Sequence, residues 1–225
     1  MDQEFNYFYY DEGFGPAFKK QDVPKSSIEK NRGKLPDQLL QYWNEYGWCG
    51  YGNGLIWIVD PDEYVPVVDA WLEGTPFEGR NNYHTIAVSA FGELFLWGET
   101  TGLAISISSL WGMIFPGDES AGVAEGKGDL MIRGFFVGLD KDMLDESDDA
   151  ERPLFDRAVK KLGVLNAGQM YGLVPALALG GSCDLKHLEK VDAVTHLIML
   201  AQLGERQIMQ DVVADAKAAG LLDGR

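Results

Sequence analysis

The chain is poor in the residues that most often announce a chemistry. It has two cysteines in 225 residues, Cys49 and Cys183. They are too few and too far apart for a disulfide framework or a zinc knuckle, and each reads as a small buried apolar side chain in a reducing compartment. Histidines number three. Lysine and arginine are scarce, 19 against 35 aspartates and glutamates, for a net charge of -16 and a pI near 4.5. That balance excludes a general binder of phosphate backbones, which needs a surplus of basic groups, and favours a basic partner. No run nears the roughly 20 apolar residues that span a bilayer. The start, MDQEFNYFYYDEGFG, has neither the basic flank nor the apolar stretch of a signal peptide, so a cytoplasmic protein with no membrane partner is expected.

What is present is ample material for a core: 46% hydrophobic residues and 12% aromatics. The expected fold class is α+β, with N-terminal helices on a small antiparallel sheet followed by a mainly helical C-terminal domain. The expected boundaries are 1–115, a linker at 116–128 within the polar stretch PGDESAGVAEGKGD, and 129–225. Ser26 or Ser27 offers a cap for a first short helix. LPDQLLQYWNEYG gives a second, with Pro36 tolerated in its first turn and Gly47 just past its end. Leu39, Leu40, Trp43 and Tyr46 fall on one face. GLIWIVDP reads as a buried strand, and the segment after it as a helix turning Val67, Val68, Trp71 and Leu72 inward. Tyr83–Ser89, Glu93–Gly98 and Leu103–Ser108 read as an antiparallel meander. Beyond the linker, helices are expected around Ile132–Leu139, from Arg152 to Gly163, over LKHLEKVDAVTHLIMLAQLG with Leu188, Val191, Val194, Ile198 and Ala201 inward, and weakly over ERQIMQDVVADAKAAGLL.

The densest charge lies in Asp140–Glu151, seven carboxylates and one lysine in twelve residues. A calcium-loop register fails where geometry is strictest, because the position that needs glycine is Asp145 and a ligand position is Leu144. Two readings stay open, a hydrated connector between helices and a contact surface for a basic partner. His84 with Asp69 and Ser89 supplies the residue types of a hydrolase, without a nucleophile-elbow motif. His187 and His196 are spaced wrongly for a metal pair on one helix face. Cys183, Asp184 and His187 resemble a nucleophile and base only by proximity in sequence. LALGGSCD lacks the lysine and spacing of a phosphate loop. Trp48 and Tyr51 sit in a glycine-framed aromatic stretch that could anchor an interface, close to Asp62 and Glu63.

LPDQLLQYWNEYGWCGYGNGLIWIVDPDEY and YHTIAVSAFGELFLWGETTG together resemble the GAD-like domain, whose layout is similar to the wider SUKH-type immunity folds. LFDRAVKKLGVLNAGQMYGLVPALALGG, followed by LEKV, resembles the C-terminal domain that accompanies it in immunity proteins of bacterial type VI secretion nucleases. The resemblance covers Leu35–Ile107 and Leu154–Gln202. It implies a non-catalytic cytoplasmic inhibitor of a DNA-degrading toxin, and it transfers no catalytic residue, cofactor or metal. The expected contacts to the toxin's basic DNA-binding cleft are Trp48, Tyr51, Asp62, Glu63, Asp140, Asp142, Asp145, Glu146, Asp148 and Asp149. Direct binding to nucleic acid is not expected from this charge. The alternatives are an autorepressor using Lys19, Lys20, Lys25, Lys30, Arg32 and Lys34, and a small hydrolase using Asp69, His84 and Ser89.

Overall fold

The structure is a computed structural model, and it describes residues 1–210. In chain order its elements are α1 (Gln3–Asn6), β1 (Phe18–Gln21), α2 (Lys25–Asn31), α3 (Asp37–Tyr46), β2 (Trp48–Tyr51), β3 (Ile56–Ile58), α4 (Val65–Leu72), β4 (Tyr83–Ser89), β5 (Glu93–Gly98), β6 (Gly102–Ser108) and β7 (Met113–Pro116). There follow α5 (Ser120–Ala124), α6 (Gly128–Gly138), α7 (Lys141–Leu144), α8 (Phe155–Leu162), β8 (Gln169–Leu173), β9 (Leu188–Asp192), α9 (Ala193–Gln202) and β10 (Gln207–Ile208).

The mixed α+β class holds, but the sheet is not small. Eight strands lie in the order β1-β2-β3-β4-β5-β6-β7-β10. Successive pairs are antiparallel until β10, which joins β7 in parallel and so brings the end of the described chain back to the sheet. The meander β4-β5-β6 forms where the apolar alternation and its glycine turns place it. Gly92 between β4 and β5 has φ +84, and a side chain there would strike Met170 and Ser109, so the turn requires glycine twice over.

Strand register sorts side chains onto two faces. Leu94, Leu96, Ile105, Ile107 and Ile114 share one and are all buried. Tyr51, Ile56, Ser89, Ala87, Phe95, Ser106 and Phe115 share the other through successive pairings. α6 lies against this second face. Phe136 meets Phe5 and Phe8, both ring pairs near 5 Å, and Phe135 meets Phe95 at 5.3 Å. One buried cluster runs from Phe5 to Ala201. It includes α4 and α9, which pack on each other.

α3 runs as its apolar face requires, from Asp37 to Tyr46, with Gly47 at φ +74 ending it. Other expectations change. α2 starts at Lys25 with Pro24 at its cap and no side-chain bond, so neither Ser26 nor Ser27 caps it. α8 starts at Phe155, three residues after the expected Arg152. Leu188–Asp192 is strand, not helix, because it completes a hairpin with β8 from Leu173↔Leu188 to Gln169↔Asp192. Asp192 then starts α9 by accepting the Thr195 N–H at 2.8 Å. The buried face of α9 is therefore Ala193, His196, Leu197 and Ala201, one position off the expected Val194 and Ile198. Gln207–Ile208 is strand where a weak helix was expected, and the rest of that tail lies outside the described residues. No helix among the described residues is long and apolar enough to cross a membrane.

Candidate functional site

Asp140–Glu151 is a folded loop whose carboxylates point in different directions. Asp140 caps α7, accepting the N–H groups of Asp142 at 2.7 Å and Met143 at 3.3 Å. Asp145 accepts three backbone N–H groups, from Glu146, Leu154 and Phe155, at 2.7, 3.2 and 2.8 Å. Asp148 has a side chain only 2% exposed and pairs with Arg152 at 2.7 Å and Arg157 at 2.8 Å. It also accepts the N–H groups of Ala150 and Arg152. These donors hold its carboxyl well below the usual range. Glu146 accepts the indole N–H of Trp111 at 3.2 Å. The hydrated-connector reading thus fails at Asp145 and Asp148, which act as structural acceptors, while Asp142 and Asp149 remain exposed.

The aromatic pair is hidden, contrary to the loop reading. Tyr51 is 1% exposed at the end of β2, its ring edge-on to Phe8 at 5.1 Å. Trp48 opens β2 partly buried, edge-on to Trp43 at 5.7 Å. Four-glycine framing had pointed to a loop, but β1 pairs with β2 and closes it into the sheet. Asp62 is bonded to Lys30 at 2.6 Å, and Glu63 is exposed beside it.

The catalytic alternatives are not assembled. Asp69 and His84 line one cavity of about 660 Å³, where His84 bonds Glu99 at 2.9 Å. Ser89 lies at the opposite end of β4, roughly 15 Å along the strand, with its hydroxyl accepting the Phe91 and Glu93 N–H groups. The Cys183 thiol donates to the Ser147 carbonyl at 3.2 Å and burial pushes its pKa up to about 11, while His187 bonds Ser182 instead. Among the described residues no group of three or more metal-ligating side chains gathers. The basic residues of the autorepressor reading are largely engaged. Lys19 bonds Leu165 and Asn166, Lys20 bonds the Glu45 carbonyl, Lys30 pairs with Asp62, and Arg32 pairs with Glu29.

Sequence reasoning missed a surface on the second sheet face. Glu93, Ser108 and Met113 form one cross-strand row, and Phe95, Ser106 and Phe115 form the next. Trp111, at the tip of the β6–β7 hairpin, is 46% exposed and Phe115 40%. Burial, aided by the charge of Glu146, pushes the Glu93 carboxyl up to about 7. Burial also raises Glu146, against the Trp111 N–H that favours its ionised form. The signal was available in the alternation Glu93-Leu94-Phe95-Leu96, which puts an acid and an aromatic opposite the core leucines.

Residues 6–111 match the GAD-like domain family. Residues 130–204 match the family described as T6SS immunity protein Tdi1, C-terminal. A search of curated proteins found no match. Among solved structures, the crystal structure of Atu4351 from Agrobacterium tumefaciens is similar with a TM-score of 0.79 and 22% identity, covering 92% of this chain and 93% of that one. At that identity the likeness is one of fold.

Proposed function

We propose, from the premise that this chain joins a GAD-like domain to a Tdi1-type C-terminal domain and so belongs with the immunity proteins of type VI secretion, that it neutralises a cognate DNase toxin by binding it one to one. The bound protein occludes the toxin's DNA cleft or active site and performs no bond-breaking itself. It acts in the cytoplasm, where a delivered toxin would meet chromosomal DNA.

The observation that carries this reading is the occurrence of both family segments in order along one chain. Charge supports it. A nuclease presents a basic cleft to hold DNA, and a protein of net charge -16 is drawn to that field and competes with DNA for it. The separation of Ser89 from His84 and the buried, raised Cys183 thiol favour a binding role over a hydrolase.

The test is a DNA-cleavage assay with type VI DNase toxins taken from the same genome as this chain. Equimolar immunity protein is expected to abolish cleavage by one of them, with the loss titrating to a ratio near one. Full cleavage by every one in the presence of excess protein at modest ionic strength refutes the proposal.

A further inference from the structure

Three concavities of about 250 Å³ or more among the described residues compete as a docking surface. The cavity of about 660 Å³ has charges of both signs in its wall, Lys30 paired with Asp62 and His84 with Glu99 beside Lys34, Asp69 and Glu73, and so presents no apolar floor to an anchor side chain. In a groove of about 620 Å³ Asp145 is taken by backbone N–H groups and Lys141 by the Gly13 carbonyl, which leaves Asp142 and Asp156 as exposed charges suited to long-range attraction rather than to anchoring a side chain. The third is different. It is a trough of about 250 Å³ on the open part of the second sheet face, between Phe95 with Phe135 on one side and Phe115 on the other. Ser106, from the central strand, forms its floor because a short residue stands between two phenylalanines in the same cross-strand row.

α6 and the N-terminal aromatics cover the β2–β4 part of this face through Tyr51, Phe8 and Phe136. Among the described residues the covering stops at Phe135, leaving Phe115 and Trp111 exposed. The carboxylates stand together at the Trp111 end. Glu93 heads the neighbouring row, and Glu146 holds the indole N–H. An exposed phenylalanine in the wall of a concave apolar floor, with an exposed tryptophan and two half-buried carboxylates beyond one end of it, has the make-up of an interface hot spot.

We infer that this trough, with Trp111, Phe115, Glu93 and Glu146, is the surface that receives the toxin, taking an apolar side chain flanked by lysine or arginine. The inference rests on the immunity reading above and adds to it the place and chemistry of the contact. Charge selects this occupant over a second copy of the chain. Pairing two copies of the chain brings together bodies each of net charge -16, whereas a basic partner is attracted to that field and favours the ionised forms of the half-buried Glu93 and Glu146.

The experiment measures binding of the full chain to the same toxins, inactivated at their catalytic centres, by isothermal titration calorimetry, with melting curves as a check on folding. Phe115→Asp is expected to weaken binding by about 100-fold or more and Trp111→Ala by about 10-fold or more. Trp111 lies at a hairpin tip, so the second variant keeps the test sharp if the first does not fold. Leu179→Asp, at an exposed position outside the trough, is expected to bind like wild type. If wild type binds and both trough variants bind equally well, the toxin docks elsewhere and this inference falls while the immunity reading stands. If wild type binds none of the toxins, both fall.

Discussion

Trp71 in α4 donates its indole N–H to the carbonyl of Leu197 in α9, 3.0 Å away and 126 residues later in the chain. Trp71 is fully buried. One end of this bond lies in the GAD-like segment and the other in the Tdi1-type segment, so the two sequence families share one interior. Trp71→Phe is expected to cost about 1–2 kcal/mol for the lost bond and changed shape, and Trp71→Ala about 3–5 kcal/mol. Urea unfolding should be a single transition, coincident by tryptophan fluorescence and far-ultraviolet circular dichroism. Two separated transitions would show that the segments unfold independently.

Asp148 binds two guanidinium groups from inside the acidic loop. Its folded pKa is depressed below the ordinary 3.8, so its contribution is present at neutral pH and disappears as pH falls below that value. Asp148→Asn leaves Arg152 and Arg157 without their shared acceptor. The melting temperature is expected to drop by roughly 5 °C or more at pH 7, and the gap to wild type should narrow toward pH 3. A gap that stays constant across this range contradicts the assignment.

Glu93 has the opposite sign. Its folded pKa, near 7, exceeds the ordinary 4.5, so the folded state loses stability as pH rises from about 4.5 through 7 and the carboxyl ionises next to Glu146. Glu93→Gln is expected to be more stable than wild type at pH 8, by about 1–2 kcal/mol, and no more stable at pH 4.5. Equal gains at both pH values would exclude ionisation as the cause.

Much of the fold was legible because it rests on local signals. α3, α4 and the β4–β6 meander follow from periodicity and from glycines such as Gly47 and Gly92. β9 was not legible. Leu188, Val191, Val194 and Ile198 fit a helical spacing, and only pairing with β8 makes the first half of that run a strand. β10 and the full width of the sheet depend likewise on contacts distant in sequence. For the site, acidity was readable but direction was not. Asp145 and Asp149 look alike in a charge run, yet one accepts three backbone N–H groups and the other is exposed. Tyr51 looked free among glycines, yet Phe5, Phe8 and Tyr9 from the first residues of the chain pack on its ring. Trp111 drew no attention, since nothing nearby in sequence shows that Glu146 comes to meet it.

That distinction within the acidic loop gives a final prediction. Exposed carboxylates act at long range, raising the rate of encounter with a basic toxin, and each contributes modestly under salt. Asp142→Asn combined with Asp149→Asn should slow association by about two- to fivefold at low ionic strength, with the difference vanishing near 0.5 M salt and the melting temperature unchanged. Asp145→Asn should behave in the reverse way. Its Oδ1 alone accepts three N–H groups, two of them at the start of α8, and a neutral amide oxygen is a weaker acceptor than a carboxylate's, so the amide lowers the melting temperature and leaves the association rate near wild type. Stopped-flow binding and thermal melts on the same preparations separate the two roles. If Asp145→Asn slows association as much as the exposed pair does, the loop acts as an undivided charged surface and the division drawn from its hydrogen bonds is wrong.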